Sequence, residues 1–281
     1  MNSITINNVT DFDLTHIFEC GQCFRWVPSA DGRGYAGAAG GKAARMEFAD
    51  GTLRIETTGG DEEYWKSYFD LGTDYGVIKR SLISNEPRIE AACGYGSGIR
   101  ILRQDPFETI ISFIISQNNN IPRIRKNIES LCAEYGREIE GSEGIAALRG
   151  CGDGGPVHAF PDAETLADAS ADDLAAMKLG YRSEYIIRAA RKYAVEGCPE
   201  CREELLDFHG VGPKVANCIM LFGFRDMAAF PVDTWVRHIM NDMYGFDEKD
   251  AKGMQAFAEE HFGELAGYAQ QYLFYYYRDR S

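Results

Sequence analysis

Apolar and polar residues alternate with a period of two in short stretches across the first sixty positions, the pattern of half-buried strands. Ile4-Thr5-Ile6, Phe24-Arg25-Trp26, and the pair Met46-Glu47-Phe48 and Leu53-Arg54-Ile55 around Asp50-Gly51 predict antiparallel sheet. The glycine-rich stretch from Gly32 to Gly41 reads as a mobile loop between strands. From Glu62 onward the apolar spacing becomes helical, and Gly94-Tyr95-Gly96-Ser97-Gly98 marks a joint. Asp105-Pro106 starts a helix on which Ile110, Ile111, Phe113, Ile114 and Ile115 cover nearly every face, which predicts a central, buried helix. Gln117-Asn118-Asn119-Asn120 closes it, and the next helix restarts at Pro122 with Arg123 on its first turn. Asparagines in such a place serve as caps and turn formers, or as something more; composition leaves that open.

Further on, Leu205, Leu206 and Phe208 read as the end of a short helix, Gly210-Val211-Gly212 as a tight turn, and Pro213 as the first position of a second helix, where a missing N–H costs nothing. This is a helix-hairpin-helix over about residues 203–223. Glycine lets the backbone approach another chain closely, and a helix amino-terminus attracts anions, so the amides of Gly210, Val211 and Gly212 suit a phosphate of a nucleic-acid backbone. Lys214 lies in the first turn of the second helix, where the positive end of the dipole is expected to lower its pKa and leave a nucleophilic amine. Asp233 follows Phe230-Pro231-Val232 and precedes a helix starting at Thr234, so it is a cap, a catalytic partner of the lysine, or both. Helical spacing puts Cys218 on the face of Lys214, and Phe274 on the face of Gln270.

Composition changes the picture in three ways. With 281 residues, 45% of them hydrophobic and 12% aromatic, the chain can bury one large core or two moderate ones. It carries no apolar run long enough for a bilayer, and its start lacks a signal pattern, so a soluble cytoplasmic protein without membrane partners is expected. The net charge of −14 speaks against coating nucleic acid with the whole surface, but charge is segregated. Residues 100–126 carry five basic against two acidic side chains, and 178–192 five against one, whereas 133–177 hold ten acidic and two basic groups and read as an outer face. The eight cysteines include Cys20/Cys23 and Cys198/Cys201; the pairs lie far apart in sequence, and reduced thiols are preferred to a zinc site.

With the hairpin, the lysine and Pro231-Val232-Asp233 in place, the chain resembles the helix-hairpin-helix DNA glycosylase superfamily, and within it the 8-oxoguanine DNA glycosylase branch. The resemblance is carried in family order by Cys20-Gly21-Gln22-Cys23-Phe24-Arg25-Trp26, Gly98 to Pro106, Ser112 to Ile124, Leu179-Gly180-Tyr181-Arg182, and Gly267 to Phe274. It implies an α+β fold: an N-terminal antiparallel β-sheet domain over residues 1–90, followed by a mainly α-helical body over 91–281. By the same resemblance Lys214 would attack C1′ of a damaged nucleotide with help from Asp233. The flipped base would stack between Cys218 and Phe274, with Gln270 on its Watson–Crick edge and the Gly21 carbonyl on N7. Asn118 would fill the vacated space, Tyr181 would wedge the stack, and Arg123 and Arg182 would read the orphaned cytosine.

The implied partner is double-stranded DNA containing 8-oxoguanine, bound by a monomer that is nucleoid-associated in a prokaryotic host. The implied chemistry needs no cofactor. An iron–sulfur cluster like that of some relatives is excluded because no cysteine follows Cys218; a cation on the carbonyls of Leu206, Phe208 and Val211 is the one metal the resemblance allows. Where some relatives place a phosphate-contacting histidine this chain has Trp235. Two other readings stand beside this one, a glycosylase for another damaged base and a non-catalytic hairpin module. Lys214 speaks against alkylation glycosylases, which often lack that lysine.

Overall fold

The computed structural model describes residues 1–149 and 155–280; Cys151 and Asp153, counted above among the cysteines and the acidic stretch, lie outside them. The chain runs β1 (Asn2–Ile6), α1 (Leu14–Glu19), β2 (Val27–Pro28), β3 (Tyr35–Ala39), β4 (Lys42–Ala49) and β5 (Thr52–Thr57). Then follow α2 (Glu62–Tyr68), α3 (Tyr75–Asn85), α4 (Glu90–Tyr95), α5 (Pro106–Ser116), α6 (Ile121–Tyr135), α7 (Glu143–Leu148), α8 (Ala163–Ala167) and α9 (Ala171–Ala176). The last elements are α10 (Arg182–Glu196), α11 (Arg202–Leu206), α12 (Pro213–Ile219), α13 (Thr234–Tyr244), α14 (Ala251–Phe262) and α15 (Ala266–Arg278).

The strands form one antiparallel sheet in the order β1-β5-β4-β3-β2. Its register puts Met46 opposite Ile55 and Phe48 opposite Leu53, the pairing that the alternating pattern and the Asp50-Gly51 turn call for. Two details differ from the pattern. Phe24-Arg25-Trp26 is not strand; only Val27–Pro28 pairs with β3, because Phe24 packs into the helical core while Trp26 packs into the sheet core. The glycine-rich stretch is not a loop either: Tyr35–Ala39 is a fully buried strand between β2 and β4. Small residues are required there, since a Cβ on Gly37 would lie 2.5 Å from the Arg25 carbonyl and 2.7 Å from the Trp26 ring. Side-chain size explains Gly37, whereas Gly32, Gly34, Gly40 and Gly41, in the turns on either side of the strand, have positive φ.

Both faces of the sheet are covered. One packs Ile6, Phe18, Trp26, Met46, Leu53, Ile55 and Trp65 together, with the Trp26 indole donating to the Tyr68 hydroxyl at 2.7 Å. On the other, Ala36, Ala38 and Ala43 meet Ile139, Ile145, Val157 and Ala159. The acidic stretch therefore anchors its apolar residues on the sheet, and each described acidic residue between 133 and 177 is exposed, as an outer face requires.

The second core surrounds α5, whose residues from Phe107 to Ile115 are all buried except Glu108. Each fully buried Ile or Phe there contributes about 1.5–3 kcal/mol of apolar burial. Cys20, Phe24, Tyr75, Leu82 and Ile89 belong to this same core, so the first ninety residues pack continuously into the helical body. No helix among the described residues is long and apolar enough to cross a membrane.

Candidate active site and its DNA-facing groove

The hairpin forms as its residues dictate. Helix α11 ends at Leu206, Gly210 takes a positive φ of 88°, and α12 begins at Pro213 with Gly212 as its N-cap. The two glycines do different jobs. A Cβ on Gly210 would strike the Tyr185 ring at 2.4 Å, so this glycine serves packing inside the protein; around Gly212 the space is open. The Val211 N–H donates to the Phe208 carbonyl at 2.9 Å, which corrects the expectation that all three turn amides face a phosphate. Among the described residues the amides of Gly210 and Gly212 make no hydrogen bond, and no side chain caps α12. The turn is tied to the end of α5 by the Gln117 side chain, which donates to the Gly210 carbonyl at 2.9 Å.

Helix α12 carries Lys214 to the floor of a cavity of about 320 Å³, at the small end of ligand pockets. Asp233, Cys218, Gln270, Phe274 and Gly21 line the same cavity, so six positions spread over 254 residues of chain meet in one place. Asp233 caps α13, its Oδ1 accepting from the Val236 N–H at 2.8 Å, and still faces the amine: the cap and the partner of the lysine are one carboxylate. Cys218 and then Asp233 hold the Lys214 ammonium above the ordinary lysine range, outweighing burial. This corrects the expected lowering by the helix end; the side chains facing the amine decide the direction, Cys218 from the same helix and Asp233 through tertiary packing. Burial pushes the Cys218 thiol up, opposed by Lys214, and also pushes the Asp233 carboxyl up, opposed by the Val236 amide and Lys214.

Gly21 enters the cavity on a rigid loop. Its φ is 81°, and a Cβ there would sit 3.3 Å from the Phe274 ring, so glycine is required for both conformation and contact. Gln22 locks the loop by donating to the carbonyls of Ile17 at 2.9 Å and Arg100 at 2.8 Å, while its own Oε1 accepts from the Leu102 N–H. Gln271 clamps it from the other side by donating to the Cys20 carbonyl at 2.6 Å. Gln270 is buried on the cavity wall, and its Oε1 has no hydrogen-bond partner among the described residues.

Sequence spacing missed several lining residues, among them Phe222, Trp235 and Arg278. Phe222 stacks on Phe113 at 5.4 Å, and Lys214 Nζ lies 5.9 Å from the Phe113 ring centre. The signal was available for two of them: Phe222 follows Cys218, and Arg278 follows Phe274, by the same four-residue step that paired the others.

From the cavity a groove runs along Asn118, Tyr181, Gly212, Lys214, Thr234 and Arg237, with Trp235 at the junction. Asn118 is exposed with φ 48°, a left-handed conformation asparagine tolerates; Asn119 donates to the Ile115 carbonyl at 3.1 Å, and Asn120 caps α6 through the Arg123 N–H at 3.0 Å. Tyr181 is 51% exposed and meets Tyr185 edge-on. Arg123 is exposed and donates to the Lys178 carbonyl at 3.1 Å, next to the Tyr181 loop. Arg182 behaves differently: it is buried, and its guanidinium donates to the carbonyls of Gln117, Asn118 and Leu179, bracing the loop that holds Asn118.

The two C-x-x-C pairs do not meet in a metal site: Cys20 lies in the helical core, its thiol pushed up to about 11 by burial, Cys23 lies in the sheet core, and Cys198 is exposed. Among the described residues no cluster of His, Cys, Asp and Glu is arranged to hold a metal ion.

A hairpin whose lysine enters a cavity faced by the aspartate that caps a later helix, at the head of a groove, is the arrangement of a helix-hairpin-helix base-excision protein. Residues 4–110 match the family model for the 8-oxoguanine DNA glycosylase N-terminal domain, and residues 111–264 that for the HhH-GPD superfamily base excision DNA repair protein. The fold superposes on an 8-oxoguanine glycosylase/lyase of Clostridium acetobutylicum in complex with double-stranded DNA containing cytosine opposite 8-oxoG, with a TM-score of 0.89 and 38% identity over 99% of this chain and 96% of that one. In sequence the chain is 34% identical to a probable N-glycosylase/DNA lyase of Methanothermobacter thermautotrophicus over 63% of its own length, and 38% identical to the N-glycosylase/DNA lyase of Saccharomyces cerevisiae over 52%. Those matches span 62% and 42% of the two relatives. The chain belongs to the 8-oxoguanine DNA glycosylase family of the helix-hairpin-helix superfamily.

Proposed function

We propose that this chain is a bifunctional DNA glycosylase/AP lyase that excises 8-oxoguanine paired with cytosine from double-stranded DNA. The observation that carries this reading is the convergence of Lys214, Asp233, Cys218, Phe274, Gln270 and Gly21 on one cavity at the head of the groove. A duplex hides C1′ and the base edge, so the nucleotide must be flipped out, at a cost of a few kcal/mol that wedge and pocket contacts offset. In this reading Tyr181 wedges the stack and Asn118 enters the gap. The base lies between Cys218 and Phe274; Gln270 meets its Watson–Crick edge, and the Gly21 carbonyl accepts from N7–H, which guanine lacks.

Deprotonated Lys214 forms a bond to C1′ as the bond from C1′ to the base breaks, and the base leaves with the electron pair and takes up a proton. Asp233 stabilises the positive charge that develops on the sugar. The bound nitrogen sheds one proton, and its lone pair then expels O4′, which takes up a proton, so that the sugar ring opens to a protonated Schiff base; removal of a C2′ proton then expels the 3′ phosphate by β-elimination. The route uses no redox cofactor, iron–sulfur cluster or zinc. The turn amides of Gly210 and Gly212 hold the backbone, and the carbonyls of Leu206, Phe208 and Val211 offer oxygens to a cation. The reading places the protein on DNA as a monomer in the cytoplasm.

Borohydride trapping on a panel of duplexes tests it. A covalent adduct confined to 8-oxoguanine, and strongest opposite cytosine, supports the reading. An adduct on another lesion makes the chain a glycosylase for that base, and no adduct on any duplex leaves only a binding module.

The two arginines are expected to separate. Arg123→Ala should relax the preference for opposite cytosine while leaving the melting temperature within about 2 °C, since an exposed side chain with one carbonyl contact is removed. Arg182→Ala should cost about 1–3 kcal/mol in stability as well, because several buried hydrogen bonds to carbonyls are lost together. Excision rates opposite each base, with thermal melts of both variants, check this; equal loss on all opposite bases for Arg123→Ala would make it a backbone contact.

A further inference from the structure

Helix α15 turns Gln270, Phe274 and Arg278 toward the cavity at four-residue intervals. The fork of Arg278 is divided. Its Nε and Nη2 are held by the Asp279 carboxylate at 2.9 and 2.7 Å, while Nη1 is closed off from water and has no hydrogen-bond partner among the described residues. That nitrogen lies 3.8 Å from where a Gly21 Cβ would be, and the guanidinium carbon lies 5.4 Å from the centre of the Phe274 ring. A charged donor withheld from water and left unpaired is unfavourable until a ligand supplies an acceptor.

The direction of α15 says which edge of a ligand this donor meets. Four residues advance a helix by about 6 Å, so Gln270 and Arg278 lie on opposite sides of Phe274 along the axis. With a purine stacked on Phe274 and its Watson–Crick edge at Gln270, the far edge, N7 and C8, points toward Gly21 and Arg278. We propose that Arg278 is a specificity-determining residue whose Nη1 donates to the C8 carbonyl oxygen of the flipped base, next to the Gly21 carbonyl that accepts from N7–H. The inference rests on the proposed 8-oxoguanine reading. Acceptor and donor on the protein then match donor and acceptor on the oxidised edge, whereas in guanine the N7 lone pair faces the Gly21 carbonyl and C8 carries no oxygen to accept from Nη1.

The test compares 8-oxoguanine with 8-thioguanine in duplexes otherwise identical. The thio analogue keeps the N7 proton but offers sulfur, a weak acceptor, at C8. Single-turnover excision by the wild-type protein is expected to favour the oxo base by tenfold or more, on the order of one charged hydrogen bond. Arg278→Met is expected to lower excision of the oxo base by about 10–100-fold and to change that of the thio base by less than about threefold, so that the preference collapses. Arg278→Lys, which keeps charge without the fork, is expected to retain part of it. Equal losses on both bases in Arg278→Met would overturn the proposal and leave Arg278 a role in folding or DNA binding. Equal rates on the two bases with the wild-type protein would overturn it whether or not the variants fold. Wild-type protein that releases no 8-oxoguanine would instead sink the glycosylase reading itself, and this inference with it.

Discussion

Lys214→Gln is expected to bind lesion duplex as the wild type does while losing base excision, strand cleavage and the borohydride-trapped adduct together, by on the order of 10⁴-fold or more. The three activities fall together because a single amine makes the bond to C1′ and carries the Schiff base, and no other lysine lines the cavity. Retention of binding follows from the groove, which extends well past this side chain. The pH dependence has a definite sign. Because Cys218 and Asp233 hold the ammonium up, the attacking free base is a minor form at neutral pH and excision should rise with pH. Single-turnover rates across pH measure this. A full adduct in Lys214→Gln would place the nucleophile elsewhere.

Asp233→Asn and Asp233→Ala should divide the two duties of that carboxylate. Asparagine caps a helix about as well as aspartate, so Asp233→Asn should leave stability within roughly 0.5 kcal/mol, whereas Asp233→Ala should cost about 1 kcal/mol because the Val236 N–H loses its acceptor. Charge is absent from both variants. Excision should therefore fall in both, by about 10²–10⁴-fold, the range seen when a positioned charged or proton-handling group is removed. Lys214 would also lose one of the neighbours that keep it protonated, which works against the loss and keeps it from being total. Denaturation curves paired with single-turnover rates distinguish the duties; wild-type turnover in Asp233→Asn would leave the residue only its cap.

Much of this site was legible as spacing. The step from Lys214 to Cys218 and from Gln270 to Phe274 is a property of any α-helix, and the glycine, proline and aspartate around them signal helix ends by local stereochemistry. The same holds for the hairpin of β4 and β5, whose alternation sets its register. Where the chain misled, the cause was a partner distant in sequence. The strand after Tyr35 looks like a loop because its residues are small, yet they are small because Trp26, Ile139, Ile145, Val157 and Ala159 lie against them. Arg182 looks like a free cation and is buried as a brace for carbonyls more than sixty residues earlier.

By itself, the sequence determined the helices and their caps, the hairpin turn, the alternation of β1, β4 and β5 and the residue types capable of Schiff-base chemistry, all of which depend on neighbours within a turn or two. Tertiary structure alone decided which of those groups meet. It brought Gly21 against Phe274, set the Asp233 carboxylate beside the Lys214 amine that Cys218 already faced from the same helix, and left one nitrogen of Arg278 without a partner among the described residues. The reason is physical: burial and Coulomb interaction depend on distance in space, and a linear pattern records distance only along the chain.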